Sequence, residues 1–194
     1  NGRRRSPGRH CLECSRSRGC PARSVQPRTP PTRLAGGRRP GRDRVCLVRI
    51  SEGGPDQHLV RFGPNSDFAA PNLKAVLADP ARVKIYHFGR FDLASIECYM
   101  GVEASPVYCT KIASRLVRTY TDRHGLKELV REMLGQDLSK QQQSSDWGAP
   151  EINDAQREYA ASDVRYLHAL RDQFVIRLAR EGRTAMAQAC FDFL

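Results

Sequence analysis

Within Glu158-Tyr-Ala-Ala-Ser-Asp-Val-Arg-Tyr-Leu167, Tyr159 and Asp163 stand four residues apart in a helical pattern. That spacing places a phenol and a carboxylate on one helix face, one turn from each other. Upstream, His87-Phe-Gly-Arg-Phe-Asp92 puts a second acid where a β-strand pattern hands over to a helix. Converging carboxylates are what phosphodiester hydrolysis with two divalent cations requires, because the cations activate a water and stabilise the leaving oxygen. Mg²⁺ and Mn²⁺ suit carboxylate oxygens, and a tyrosine beside such a water can orient it and manage its proton. Taken singly, each residue also has a plainer reading. Asp92 is then a helix-start acid favoured by the dipole, Tyr159 a core aromatic, Asp163 a surface acid, and His87 and Trp147 structural side chains. The polar run over 139–145 reads singly as a solvated loop.

The elements that must position these residues are legible from residue 44 onward. Val45-Cys-Leu-Val-Arg-Ile50 is a β run, Gly53-Gly-Pro-Asp56 has turn chemistry, and His58-Leu-Val-Arg-Phe62 returns as the second arm of a hairpin. Pro71 opens a short helix over 71–78, and Asp79-Pro80 stops it. A strand over 83–87 leads to a helix over 91–100 that ends at Gly101. A short strand over 106–110 precedes a helix over 111–120. An amphipathic helix follows over 125–134, with Leu126, Leu129, Val130 and Met133 on one stripe and Gly135 as its cap. Asn153-x-x-Gln156 is a capping-box start for the last helical region. This order predicts an α/β domain with a hairpin on a mixed sheet.

Composition bounds the function classes. The 194 residues suit one domain with a tail. A mean hydropathy of −0.56 without a long apolar run predicts no transmembrane span. The start lacks the charged-then-apolar pattern of a secretory signal, and seven scattered cysteines, an odd count, predict reduced thiols and a cytoplasmic location. Cys46 and Cys109 fall in apolar strand-like runs, where burial is expected.

The net charge of +11 is unevenly placed. Residues 1–43 carry 12 Arg against two acids, Glu13 and Asp43, whereas residues 44–194 carry 20 basic against 19 acidic groups. The body is nearly neutral, so a global argument from charge to nucleic acid fails. Residues 1–43 are an atypical Arg/Pro/Gly-rich segment without a period of 2 or 3.6. It reads as a disordered basic tail that contacts phosphates, as a transit peptide, or as a zinc site from His10, Cys11, Cys14 and Cys20. The preferred reading is GC-rich coding DNA translated out of frame.

Residues 44–194 resemble ribonuclease D, of the tyrosine-type DEDD superfamily of 3'→5' exonucleases, in its small single-domain form. The resemblance runs through Lys84-Ile-Tyr-His-Phe-Gly-Arg-Phe-Asp92, Tyr108-Cys-Thr-Lys-Ile-Ala113, His124-Gly-Leu-Lys-Glu-Leu129, Ser145-Asp-Trp147 and Tyr159-Ala-Ala-Ser-Asp-Val164. It implies a ribonuclease-H-like mixed sheet flanked by helices. It further implies Asp92 and Asp163 as catalytic metal ligands, Tyr159 as the residue that positions the attacking water, and two divalent cations, Mg²⁺ or Mn²⁺. The implied substrates are RNA 3' ends, single-stranded or in tRNA precursors, with no membrane and no obligate protein partner. His87 and Phe91 are weak candidates for nucleic-acid contact. The C-terminal helical domain of longer members is expected to be absent.

The resemblance stops at the first motif, an Asp-x-Glu at the end of the first strand. The corresponding stretch, Pro30-Pro-Thr-Arg-Leu-Ala-Gly36, has no acid and no strand pattern. Neither Asp43 nor Glu52 is placed to substitute. The expectation is therefore a domain whose first strand is missing or altered and whose exoribonuclease activity is impaired. The alternatives are a noncatalytic RNA-binding relative and a DNA-directed 3'→5' exonuclease.

Overall fold

A computed structural model describes residues 10–16 as backbone and residues 45–139, 141–142 and 145–194 in full. Along the chain run β1 (His10–Arg16), β2 (Val45–Ser51), β3 (Gln57–Arg61), α1 (Pro71–Ala78), β4 (Lys84–Tyr86), α2 (Arg90–Met100), β5 (Val107–Cys109), α3 (Thr110–Val117), α4 (Leu126–Leu134), α5 (Asp154–Arg165), α6 (Leu167–Arg180) and α7 (Thr184–Asp192). The five strands form one mixed sheet in the order β3-β2-β1-β4-β5.

Of the two alternatives expected for the first strand, missing or altered, the structure describes an altered one. β1 lies in the middle of the sheet, antiparallel to β2, with Cys11 opposite Ser51 and Glu13 opposite Arg49. It is parallel to β4, with His10 opposite Lys84 and Cys11 opposite Ile85. The antiparallel β2–β3 pair and the parallel β4–β5 pair would each leave an inner edge of unpaired backbone groups without it. Ladder bonds come from the main chain, so a stretch as irregular as His-Cys-Leu-Glu-Cys-Ser-Arg can fill that gap. β1 carries one acid, Glu13, so the Asp-x-Glu pair itself is still lacking from the strand. Within residues 1–43, residues 10–16 are described as strand. The readings of residues 30–36, and of the remainder of 1–43, lie outside the described residues.

Period-2 alternation along β2 divides the core in two. Val48 and Ile50 face α1 and α2 and pack with Phe62, Phe68, Leu73, Leu77, Tyr86, Ile96 and Met100. Leu47 points to the opposite face, against Trp147 and Ala160 of the α5 region. The larger cluster on that side joins Ile85 and Tyr108 of the sheet to Leu129, Leu167, Leu170 and Phe174 of the helices. Helices thus cover both faces, as a sheet with a parallel half requires.

The helix boundaries follow their local chemistry. α2 and α4 end at Gly101 (φ 65°) and Gly135 (φ 67°), left-handed caps that L side chains adopt poorly. The expected last helical region is three helices, broken after Arg165 and at Gly182. α3 stops at Val117, short of the expected residue 120, where the backbone of Arg118 leaves helical angles. Cys46 and Cys109 are buried, and Cys46, Cys98, Cys109 and Cys190 are free thiols. Among the described residues no helix is long and apolar enough to cross a membrane.

Candidate active site

Asp92 is placed by a tight junction. β4 ends at Tyr86, and four residues later α2 begins at Arg90, with Asp92 the acid of its first turn. Phe88 takes a left-handed backbone conformation (φ 63°) to make the reversal. Gly89 lies so close to Tyr86 that a Cβ there would come within 2.5 Å of the tyrosine Cβ and Cγ. No other residue fits that position without moving a fully buried ring. The Phe-Gly in His87-Phe-Gly-Arg-Phe-Asp92 is therefore what turns the chain and aims Asp92.

His87 and Phe91 have different surroundings. His87 Nδ1 lies 3.0 Å from Thr110 Oγ1, and that hydroxyl donates to the Tyr86 carbonyl oxygen at 3.1 Å. With the threonine proton so committed, Nδ1–H of His87 is the donor to Oγ1. Burial, then the nearby Lys111 charge, pushes the imidazole down to about 4, which keeps it neutral. This geometry supports the structural reading of His87. Phe91 is half-buried, and its carbonyl accepts from Ser95 Oγ at 2.8 Å. The aromatic that does reach solvent is Phe88, 61% exposed, with Lys111 Nζ 4.0 Å from its ring centroid.

Tyr159 and Asp163 sit on α5, whose start is anchored. Asn153 Oδ1 accepts from Gln156 N at 2.8 Å, and Gln156 Oε1 accepts from Asn153 N at 2.9 Å, the capping box expected from sequence. Gln156 Nε2 also donates to the Asp146 carbonyl at 3.3 Å, and Arg61 holds the carbonyls of Ala149 and Pro150 at 2.6 and 3.1 Å. The Ser-Asp-Trp segment is thereby tied to both α5 and β3. Trp147 is buried, and its ring centroid lies 5.9 Å from that of half-buried Tyr159. The indole therefore packs beside the phenol and limits its movement.

Asp163 departs from its plainer reading in a specific way. It is not a surface acid: its side chain is 14% exposed, and Oδ2 accepts a hydrogen bond from Nη1 of Arg49, itself 5% exposed. Arg49 lies on β2 on the same face as Leu47, the face that α5 covers. Burial pushes the Asp163 carboxyl above the usual range, and the guanidinium opposes that shift. Sequence reasoning did not single out Arg49, although a signal existed. An arginine inside the otherwise apolar run Val45-Cys-Leu-Val-Arg-Ile50 must find a carboxylate partner if the strand is buried.

Asp92 and Asp163 come from opposite sides of the central strand. Asp92 follows β4, on one side of β1, and Asp163 is met by β2, on the other. Among the described residues no three His, Cys, Asp or Glu side chains come together as a metal-holding group. One Asp163 carboxylate oxygen, Oδ2, is bonded to the Arg49 guanidinium. The described donor set does not fit a pair of divalent cations.

A family model for 3'-5' exonuclease matches residues 36–179, a span that holds Asp92, Tyr159 and Asp163 together. The chain belongs to the 3'-5' exonuclease family. It is 33% identical over 141 residues to the ribonuclease D of Gluconacetobacter diazotrophicus, covering 72% of this chain and 35% of that protein. The chain thus spans about a third of the length of that curated relative. Brucella melitensis NrnC has been solved with bound Mg²⁺ (42% identity, TM-score 0.81, 96% of this chain and 81% of that one). It has also been solved bound to pGG (44% identity, TM-score 0.82, 96% and 80%). Escherichia coli RNase D, at 22% identity and TM-score 0.74 over 94% of this chain and 42% of its own, shares the fold. The ribonuclease-D resemblance and the ribonuclease-H-like fold are thus established. Exonucleases of this type use divalent metal ions.

Proposed function

We propose that residues 44–194, with β1 completing the sheet, form a 3'→5' exoribonuclease domain that shortens RNA from its 3' end. The observation that carries this reading is the exonuclease family match spanning Asp92, Tyr159 and Asp163 in order. In this reading Asp92 and Asp163 are the second- and third-motif carboxylates, and Tyr159 positions the attacking water. The Trp147 packing and the α5 capping box support such a role, since they fix the phenol one turn from Asp163. RNA as substrate is supported by the ribonuclease D relatives and by the NrnC complex with pGG. Single-stranded ends and tRNA precursors are the proposed substrates and the cytoplasm the proposed location; Mg²⁺ or Mn²⁺ is the proposed cofactor of the form whose first strand carries Asp-x-Glu.

The chain as it stands is impaired. Its central strand has no Asp-x-Glu, and Asp163 is held by Arg49. These two observations also favour the second reading, a noncatalytic relative that binds RNA.

A labelled oligoribonucleotide and its DNA counterpart, incubated with the chain in Mn²⁺, separate these readings. The proposed function predicts slow, stepwise shortening of the RNA from the 3' end. That shortening disappears in Tyr159→Phe and quickens when the first strand is rewritten to end in Asp-x-Glu, in which form Asp163→Asn removes it. Internal cleavage, or shortening that survives both substitutions, would overturn it. RNA binding without shortening, even in the rewritten form, would establish the binding reading. Faster removal of DNA than RNA would move the substrate class.

A further inference from the structure

The site described above contains a cation of its own. We infer that the Arg49 guanidinium is a built-in stand-in for a divalent metal ion at Asp163, so that this carboxylate is neutralised by the protein and does not take up metal while Arg49 is in place. This inference rests on the reading of Asp163 as the third-motif carboxylate and adds how that carboxylate is occupied.

Three observations carry it. Arg49 Nη1 donates directly to Asp163 Oδ2, and both side chains are largely removed from water. An arginine keeps its charge at any pH a protein meets, so the bond cannot be released by deprotonating it. Backbone register fixes the strand position from which the Arg49 side chain starts, since β2 is paired on both edges, to β1 and to β3. Arg49 therefore cannot withdraw without a change of rotamer into a face already filled by Leu47, Trp147 and Ala160. A divalent ion bonded to the same carboxylate would meet a fixed positive charge in a poorly screened place. Mg²⁺ also dehydrates reluctantly, so nothing favours its displacing a partner already paired and buried.

The same pair explains how α5 can close over a charged position. An unpaired carboxylate there would be costly to bury. Paired with Arg49 it becomes a structural tie between β2 and α5, which are distant in sequence.

The test is Mn²⁺ binding, followed by the electron paramagnetic resonance signal of free Mn²⁺, on the full chain and five variants, with folding checked by circular dichroism. Arg49→Gln should bind Mn²⁺ at least about tenfold more tightly than the parent, comparable to the effect of residues around a metal site. The gain should vanish in Arg49→Gln combined with Asp163→Asn. Arg49→Lys, which keeps the charge, should gain nothing, while Arg49→Met, which keeps most of the volume, should gain as Gln does. Equal affinity of parent and both neutral variants would overturn the inference, as would a gain in Arg49→Lys matching that of Gln. Tight binding by the parent that Asp163→Asn abolishes would overturn it too. None of these outcomes depends on RNA shortening, so exonuclease activity can be lost or kept independently.

Discussion

Two arginines are buried among the described residues, and they are held in different ways. Arg118, at the end of α3, is fully buried. Its Nη2 and Nε both donate to Glu132 of α4, the latter at 3.2 Å, while Nη1 donates to the Arg123 carbonyl at 2.6 Å and to Ser114 Oγ at 3.2 Å. Ser114 Oγ is in turn 2.9 Å from His124 Nδ1. This is a closed structural network that ties α3, its following loop and α4 together, with an acid outside the motif carboxylates. Arg49, by contrast, reaches across from β2 to Asp163, a carboxylate of the exonuclease motifs. The difference teaches that burial of a cation is unremarkable where its partner has no other task. Where the partner has one, the cation decides whether that task can be performed.

The largest expected effect sharpens the structural side of this contrast. Arg118→Ala should cost about 3–5 kcal/mol, because it strips acceptors inside the α3–α4 network and leaves a cavity. Thermal unfolding should fall by roughly 10 °C, and by the same amount with or without Mn²⁺. Arg49→Gln should lower the melting temperature in chelator and recover part of the loss in Mn²⁺. A Mn²⁺-dependent recovery in Arg118→Ala, or none in Arg49→Gln, would erase the distinction.

Next in size is the response to acid on the Arg118 side. His87 is held neutral down to about 4 by burial and by the Lys111 charge, with Glu128 and the hydrogen bond to the His124 backbone acting the other way, against an ordinary value of 6.5. The unfolded chain therefore binds this proton first. The stability tied to neutral His87 is present above pH 6.5 and is lost as pH falls towards 4, by about 3 kcal/mol in full. Urea midpoints measured from pH 7 to pH 4 should fall across that window. The fall should be shallower in His87→Asn, whose side chain can still bond Thr110 but cannot titrate. An identical slope in both proteins would mean that another group controls this region.

The smallest effect lies on the Arg49 side. Asn153→Ala removes the α5 cap and should cost about 1 kcal/mol, readable as a small shift in the urea midpoint. Because α5 presents Asp163 to Arg49, faster amide exchange should extend along its first turns and stop before Asp163. Exchange that spreads through residues 159–163 would show that the cap, not the ion pair, holds this part of the helix.

Much of the fold was legible because local chemistry and tertiary demands agree. Pro71 at a helix start, Gly101 and Gly135 in left-handed caps, and the Asn153–Gln156 box each mark a boundary with a mechanism that the structure repeats. β1 was not legible, for the opposite reason. Its place is secured by backbone pairing on both edges, and main-chain bonds leave little mark on side-chain pattern. At the site, the strand-to-helix position of Asp92 and the shared helix of Tyr159 and Asp163 could be read from spacing. The Arg49–Asp163 contact joins residues 114 apart in sequence, and no periodicity reports such a pairing. Only the mismatch of one charged residue within an apolar strand pointed to it.

The central claim is that Arg49 holds the place of a metal ion at Asp163. The most direct measurement is anomalous scattering from Mn²⁺-soaked crystals of the parent and of Arg49→Gln. The account predicts no Mn²⁺ peak at Asp163 in the parent and a peak about 2 Å from its carboxylate oxygen in the variant. A peak on Asp163 in the parent, with Arg49 swung aside, would contradict it.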